Sequence, residues 1–442
     1  MKFGLESEKF IFDLRGKKPS DGVYHFIDAL YESLPEESQE RQVTNEFVLN
    51  MLEIVSKPST SPRRILKDYL LHYLLITGIA RREGVAIVPL ASLPMDFIPH
   101  MIPKWAYLVQ NCILSGKRQG SWEMQQDSPL RGGGNCCGIH IHAEVQTPRE
   151  YLFSGRELMD KFNLGLMLTP MIAFSSSPYF FGEHQAHSMR GKKYFNEIYR
   201  NFPLTGGLAP VMKSSTDVLL YFKQGTEEWV KKGMEVGFTH REMMKHTSEK
   251  GANWSPLRWN KKWNTIELRC IESDRIDLDA AKFIWVYGCM KRLDIFGENL
   301  RCEVMDEKRS LEELVAQAFE VQDGAVKILP SWAIREVFER AILFGLEDAI
   351  VSQYLQGLGE FALQGIEENY FWLYHILQDR LEIRETTSTH LLRTFGDEVT
   401  KENSLRIVDF AIESERAILD KFLHHYPDIT DVLGRVESHH WQ

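Results

Sequence analysis

With 442 residues, 43% of them hydrophobic and 26% charged, the chain is long enough to bury a large core and is neither disordered nor fibrous in composition. A formal net charge of −10 excludes nucleic acid as an expected partner, and the basic pairs Arg63-Arg64 and Lys261-Lys262 are too short to reverse that repulsion. No apolar run reaches the roughly 18 residues that span a bilayer, and Met1 to Glu8 carry acids where a secretory signal needs an apolar run, so no membrane is expected.

The first fourteen residues alternate and are rich in Phe, Ile and Leu, which predicts a strand. A polar region around Pro35-Glu36-Glu37-Ser38 precedes a second strand at Met51 to Val55, stopped by Lys57-Pro58-Ser59-Thr60-Ser61-Pro62. Helical spacing runs from Arg64 to about Arg82 and ends at Gly84, and Val85 to Val88 is a short buried strand before Pro89. Gly138 to Val145 alternates again. An apolar helix is expected from about Gly155 to Phe174, kinked at Pro170, followed by the loop Ser175-Ser176-Ser177-Pro178. Further strands are expected at Val218 to Phe222 and Thr265 to Ile271. From about Leu278 the pattern turns helical and stays so, with turns near Pro330, Gly357 and Pro427. Strands interleaved with helices and then a helical tail predict an α+β catalytic region over 1–304 and a helical region over 305–442.

Three of these strands place polar residues two apart, and side chains alternate across a sheet, so each set shares a face. Glu6 and Glu8 form one set, His140, His142 and Glu144 the second, Glu267 and Arg269 the third. Their neighbours Leu5, Ile139, Ile141, Ile266 and Leu268 are apolar and would turn to the helices. Carboxylates gathered on one face repel one another unless cations neutralise them, and a hard divalent ion shared with substrate phosphates answers that need. A histidine among the ligands suits Mn²⁺ as well as Mg²⁺. Strand by strand, a solvated polar sheet face explains the pattern equally well.

The motifs together resemble the glutamate–cysteine ligases, and most closely their second group, which includes bacterial carboxylate–amine ligases. The resemblance rests on Gly4-Leu5-Glu6-Ser7-Glu8-Lys9-Phe10, on Glu46 seven residues before Glu53, and on Gly138-Ile139-His140-Ile141-His142. It continues through Ser177-Pro178 with Gly182, Ser188-Met189-Arg190, Asn201-Phe202-Pro203 with Gly206, and Thr265-Ile266-Glu267-Leu268-Arg269. These run in the family's order over roughly residues 3 to 275. The resemblance implies a glutamine-synthetase-like antiparallel sheet with flanking helices. It also implies Mg²⁺ (or Mn²⁺) on Glu6, Glu8, Glu53, His140 and Glu267, and ATP as co-substrate. Arg190 and Arg269 would be the catalytic cations facing phosphate and substrate carboxylate, with His142 on the substrate side. The implied reaction joins glutamate, or a similar amino acid, to an amine such as cysteine through an acyl phosphate. His142 and Glu144 are the candidates for the base. A phosphotransferase on the same fold and a non-catalytic nucleotide sensor are the alternatives.

Two departures stand out. Ser7 replaces a third acid, leaving the first motif poorer in charge, and Met189 replaces an aromatic beside Arg190, which would alter the substrate pocket. The 305–442 stretch extends beyond compact bacterial members.

Other features read as structural. Gly132-Gly133-Gly134 lacks the Lys-Ser/Thr of a phosphate-binding loop and reads as a flexible turn. His184 and His187 have no third ligand nearby and read as loop residues. Of the six cysteines, Cys136 and Cys137 are adjacent and no Cys-x-x-Cys pair exists. Neither a disulfide framework nor a zinc site is expected, and reduced thiols fit the cytosol. Trp254, Trp259 and Trp263 pack the sheet edge or stack on adenine, with packing favoured. His439-His440 reads as a frayed terminus. The apolar stripes of Trp332 to Leu343 and Leu405 to Phe422 are core faces or a homo-oligomer surface.

Overall fold

In the computed structural model the described residues are 1–33, 42–118, 128–152, 155–247, 253–294, 300–397, 399–427 and 429. The stretch Pro35-Glu36-Glu37-Ser38 and the pair His439-His440 lie outside them.

The long strand β1 (Phe3–Asp13) is the axis of the molecule. The strands that follow are β2 (Lys18–Pro19), β3 (Val43–Asn45), β4 (Met51–Val55), β5 (Val85–Val88), β6 (Ile139–Glu144), β7 (Leu257–Asn260) and β8 (Thr265–Leu268). They form one antiparallel sheet in the order β3-β4-β1-β6-β8-β7, with β2 and β5 pairing to the far end of β1. Helix α1 (Val23–Ser33) precedes β3, and α2 (Pro62–Glu83) links β4 to β5. Helix α2 opens with Pro62 in its first turn, where the missing N–H costs nothing, and closes with Arg81 and Arg82 beside the negative end of the helix dipole. Helices α3 (Trp105–Ser115) and α4 (Pro129–Gly133) lie between β5 and β6, and α5 (Glu157–Leu168), α6 (Ser215–Glu235) and α7 (His240–Thr247) lie between β6 and β7.

The rear of the sheet is covered by α2, α5 and α8 (Ile276–Asp294). Alternation along β1 sends Phe3, Leu5 and Ile11 into the main core, where Phe3 packs on Phe283 and Tyr287 of α8. Helix α8 is buried on nearly every side. Its outer face is covered by α11 (Ala349–Leu363) and α12 (Phe371–Ile383), which follow α9 (Leu311–Gln317) and α10 (Ser331–Phe344). Glycines allow this close packing: a Cβ on Gly359 would stand 2.7 Å from the Trp285 ring, and one on Gly288 2.5 Å from the Ala362 carbonyl oxygen. Helices α13 (Thr387–Phe395) and α14 (Lys401–Leu423) complete the chain. The sheet, its flanking helices and the C-terminal helices are the expected glutamine-synthetase-like α+β arrangement.

Four expectations are corrected. Val218 to Phe222 is not a strand but the first turns of α6, where Ser214 accepts the Asp217 N–H as N-cap. A five-residue apolar run suits either state, and the buried positions Val218, Tyr221, Gly225 and Trp229 keep helical spacing. The tail is not wholly helical. A second sheet, β10-β11-β9, forms from β9 (Arg301–Val304), β10 (Val321–Gln322) and β11 (Ala325–Ile328), with β9 and β11 parallel. Gly357 is no turn but lies inside α11. At Pro170 the helix does not bend but stops, at Leu168, and the chain continues as a 3₁₀ turn over Thr169–Ala173.

Candidate active site

The register of the sheet assembles the front face. Glu8 stands opposite Glu53 on β4, Glu6 opposite His140 on β6, and His142 opposite Glu267 on β8, which itself faces Arg258 on β7. A row of carboxylates and imidazoles therefore crosses four strands. His140 Nδ1 lies 3.1 Å from Glu6 Oε2 and 3.8 Å from Glu53 Oε1, and its Nε2 lies 3.5 Å from Glu8 Oε1. His142 Nε2 is 3.3 Å from Glu6 Oε1 and 3.9 Å from Glu267 Oε2, while its Nδ1 meets Thr265 Oγ1 at 3.0 Å.

Three groups in this row offer ligand atoms lying within 4.8 Å of one another: Glu6–Glu53–His140, Glu6–His142–Glu267 and Glu8–Glu46–Glu53. All five residues expected as metal ligands take part. His142, expected on the substrate side, joins a group as well, and Glu46 completes the third. Glu144 accepts the backbone N–H of Lys2 at 2.8 Å and enters none of the groups.

The donor set fits a hard divalent cation, because it is oxygen-rich with one imidazole in each of two groups. The Nε2 atoms of His140 and His142 are buried and complete no well-formed hydrogen bond, facing carboxylate oxygens of Glu8 and Glu6 at 3.5 and 3.3 Å. Burial, with the charge of Glu46 added, pushes the Glu8 carboxyl up to about 8. At Glu8 the site does not hold a negative charge by itself, and a cation placed there would restore it. Burial and the nearby Arg269 push His140 down to about 4, so its ring is neutral near pH 7, as a ligand requires. Burial would raise Glu6, but the charge of His142, the hydrogen bond from His140 and the close approach of His142 outweigh it and hold Glu6 well below the carboxylate range. Burial likewise opposes the charged form of His142, yet Glu267 and Glu6 raise its pKa.

Glu267 is fully buried and saturated with donors. Arg258 Nε reaches it at 2.7 Å, Asn260 Nδ2 at 2.9 Å and Arg269 Nη1 at 2.5 Å. Burial would raise its pKa, but Arg258, His142 and Arg269 together depress it strongly. Arg190 approaches from the other side. It donates to the Cys270 carbonyl at 3.0 Å and lies 5.6 Å from the ring centres of Tyr194 and Phe195. Its guanidinium rests against Gly138, whose N–H donates to Glu8 Oε2 at 2.6 Å. A side chain at 138 would strike Arg190, so the glycine is what lets the cation sit beside Glu8. The serine loop anchors this arrangement: Ser176 N–H and Ser188 Oγ both donate to the buried Glu272, at 2.6 and 2.5 Å.

Arg258 and Asn260 were not singled out from sequence. Their signal was the alternation Leu257-Arg258-Trp259-Asn260, a polar pair two apart that pairs with the Thr265–Leu268 strand across a short turn. The two departures also look different in three dimensions. Ser7 points to the rear, where its hydroxyl donates to Asp279 at 3.0 Å, so an acid there would not join the row. Met189 is buried in the main core.

The remaining features are structural. The triple glycine lies at the helical turn α4, where a Cβ on Gly132 would meet Ile198 at 3.0 Å. His184 bonds to the Pro178 carbonyl, and His187 pairs with Glu347. All six cysteines are free and buried. Trp254 stacks on Tyr199, whereas Trp263 is exposed. No described helix is long and apolar enough to cross a membrane.

The family model for glutamate-cysteine ligase family 2 (GCS2) matches residues 2–293, which is 292 of the 442 residues and includes every residue of the row. The chain belongs to glutamate-cysteine ligase family 2. Among solved structures this family-2 chain is similar to the glutamate–cysteine ligase of Francisella tularensis in complex with AMP. Identity is 12% and the TM-score 0.52, over 98% of this chain and 94% of that one. It is also similar to the bifunctional glutathione synthetase of Pasteurella multocida, at 14% identity and TM-score 0.50, covering 95% of this chain. It spans about half (51%) of the length of that second protein. At such identities the likeness is one of fold. No curated protein sequence matches the chain.

Proposed function

We propose that this family-2 protein is an ATP-dependent carboxylate–amine ligase, joining glutamate or a similar amino acid to an amine. The observation that carries the reading is the row itself: three cation-binding groups side by side on one sheet face, flanked by Arg190 and Arg269. Mg²⁺ or Mn²⁺ held by Glu6, Glu8, Glu53, His140 and Glu267, with Glu46 and His142, would offset the charge that builds when a carboxylate meets the γ-phosphate.

The rest falls to the chain's own groups. Beyond β7 opens a cavity of about 1430 Å³ whose lining carries six cations, Arg149, Lys223, Lys231, Arg258, Lys261 and Lys262, against the acids Glu227 and Glu235. This cleft suits a triphosphate, with Arg258 linking it to Glu267. Arg269 and Arg190 present planar guanidinium groups to the substrate carboxylate and the transferred phosphoryl group. The carboxylate oxygen bonds to the γ-phosphorus as the bond to ADP breaks. The amine nitrogen then bonds to the acyl carbon, the carbon–oxygen bond to phosphate breaks, and the amine proton leaves with phosphate. Buried thiols at all six cysteines agree with a reducing, cytosolic compartment.

The test is ADP release with Mg²⁺ across pairs of amino acids and amines, with mass spectrometry of the products. An amide with released phosphate is expected. A stable phosphorylated acid would make the protein a phosphotransferase, and ATP affinity without turnover would make it a sensor.

A further inference from the structure

Opposite the basic cleft, at the β3–β4 end of the row, lies a second cavity of about 700 Å³. Glu46 and Glu53 form its inner wall, so it opens directly onto one of the cation-binding groups. Its outer wall has another character. Asp28 and Glu32 stand one helical turn apart on α1 and share a face of that helix. Three tyrosines, Tyr24, Tyr31 and Tyr107, complete the wall, and Lys104 is the one cation among its described lining residues.

Once a divalent ion takes up the charge of Glu46 and Glu53, the outer wall still has two carboxylates against one ammonium. The Tyr107 ring already carries Lys104 Nζ, 5.6 Å from its centre, so the lysine is drawn off to one side, while Tyr24 and Tyr31 line the rest of the wall. The two ends of the row therefore differ in sign: six cations to two acids at the β7 end, and an acidic, tyrosine-rich wall at the β4 end. An anionic or neutral co-substrate gains nothing from such a wall. A molecule with a second positive charge gains twice, in attraction and in orientation.

We infer that the amine substrate is a cationic one, a diamine or a basic amino acid, whose reacting amine points to Glu46 and Glu53 while its distal ammonium rests on Asp28, Glu32 and the tyrosines. This rests on the ligase reading and narrows it, since cysteine lacks the second ammonium.

The experiment compares three amines of similar length, 1,4-diaminobutane, n-butylamine and 4-aminobutanoate, together with cysteine, each with the panel of amino acids as acid. ADP release and amide mass are read together. The diamine is expected to give a kcat/KM at least tenfold above n-butylamine, with 4-aminobutanoate lowest. In Asp28→Asn/Glu32→Gln, both side chains being exposed, the diamine preference should shrink at least fivefold through a rise in KM. Isothermal titration should give the same loss of diamine affinity without turnover. If n-butylamine or cysteine serves as well as the diamine, or if the variant keeps the full preference, the cationic assignment falls and the ligase reading stands. Failure of every pair to yield an amide overturns both.

Discussion

Arg258 on β7 donates to the fully buried Glu267 on β8 at 2.7 Å, directly across the strand pair, while its own side chain lines the basic cleft. It thus touches a candidate cation-binding group and the proposed nucleotide cleft at once. Arg258→Met should remove the largest favourable charge on Glu267 and one donor from it. A charge-assisted hydrogen bond of this kind contributes about 2 kcal/mol, so turnover per bound ATP should fall roughly thirtyfold. The KM for ATP should rise, with an unchanged circular dichroism spectrum. Arg258→Lys keeps the charge and should recover part of the loss; a Met variant with normal ATP kinetics would leave Arg258 without a role.

Glu53 belongs to two of the three candidate cation-binding groups and Glu46 to one. Glu53→Gln should therefore weaken Mn²⁺ binding, read by titration or by electron paramagnetic resonance, more than Glu46→Gln does. Removing a metal ligand should cost at least what removing a supporting residue does, so activity should fall more than about a hundredfold for Glu53→Gln and for Glu267→Gln. Glu53→Gln should stay folded because it keeps its size, whereas Glu267→Gln also strips Arg258 and Arg269 of their counter-charge, so its melting temperature should fall and its activity is read per folded molecule. Equal Mn²⁺ affinity in the two variants would argue against a shared ligand.

The rear of the sheet makes its own prediction. Glu415 on α14 is buried and accepts the Ile276 N–H at the start of α8. Burial is the main cause that pushes its carboxyl up to about 7. The folded state then keeps a proton that the unfolded chain releases near pH 4.5. The contribution is present below that value and is lost as the pH rises through about 7. Glu415→Gln removes this dependence and should make the protein up to about 3 kcal/mol more stable than wild type at pH 8.5, with little difference at pH 4. Thermal melts at pH 5.5, 7 and 8.5 check it. Parallel curves for the two proteins would show that the buried acid does not titrate in this window.

Residues i and i+2 of three strands placed Glu6 with Glu8, His140 with His142, and Glu267 with Arg269 on shared faces, because alternation is a local rule that tertiary packing rarely breaks; Glu46 and Glu53 came only with the family resemblance. The partners Glu8–Glu53, Glu6–His140 and His142–Glu267 depend on register, which no single strand contains. Arg258 and Asn260 were hidden for the same reason: their strand is four residues long and gains meaning only beside Glu267. Ser7 lies between two acids of the row, but alternation turns its own side chain to the helices, where it meets Asp279. The apolar run at Val218 to Phe222 was too short to choose between periods, and the small β9–β11 sheet has strands of two to four residues.

The contact between Gly138 and Arg190 separates placement from folding. A Cβ at 138 would collide with the guanidinium, which is buried and already bonded to the Cys270 carbonyl. In Gly138→Ala the arginine must move, yet the strand pairing around it is made by backbone groups that alanine leaves intact. The loss should therefore appear in catalysis, at least tenfold in kcat/KM, with a melting temperature within a few degrees of wild type. Gly288→Ala is the control: there the added carbon meets the Ala362 backbone carbonyl, which cannot rotate away. Overpacking of that kind costs about 1–3 kcal/mol, so Gly288→Ala should lower the melting temperature while each folded molecule keeps its activity. If Gly138→Ala destabilised the protein as much as Gly288→Ala and kept full activity when folded, Arg190 would not depend on the glycine for its position.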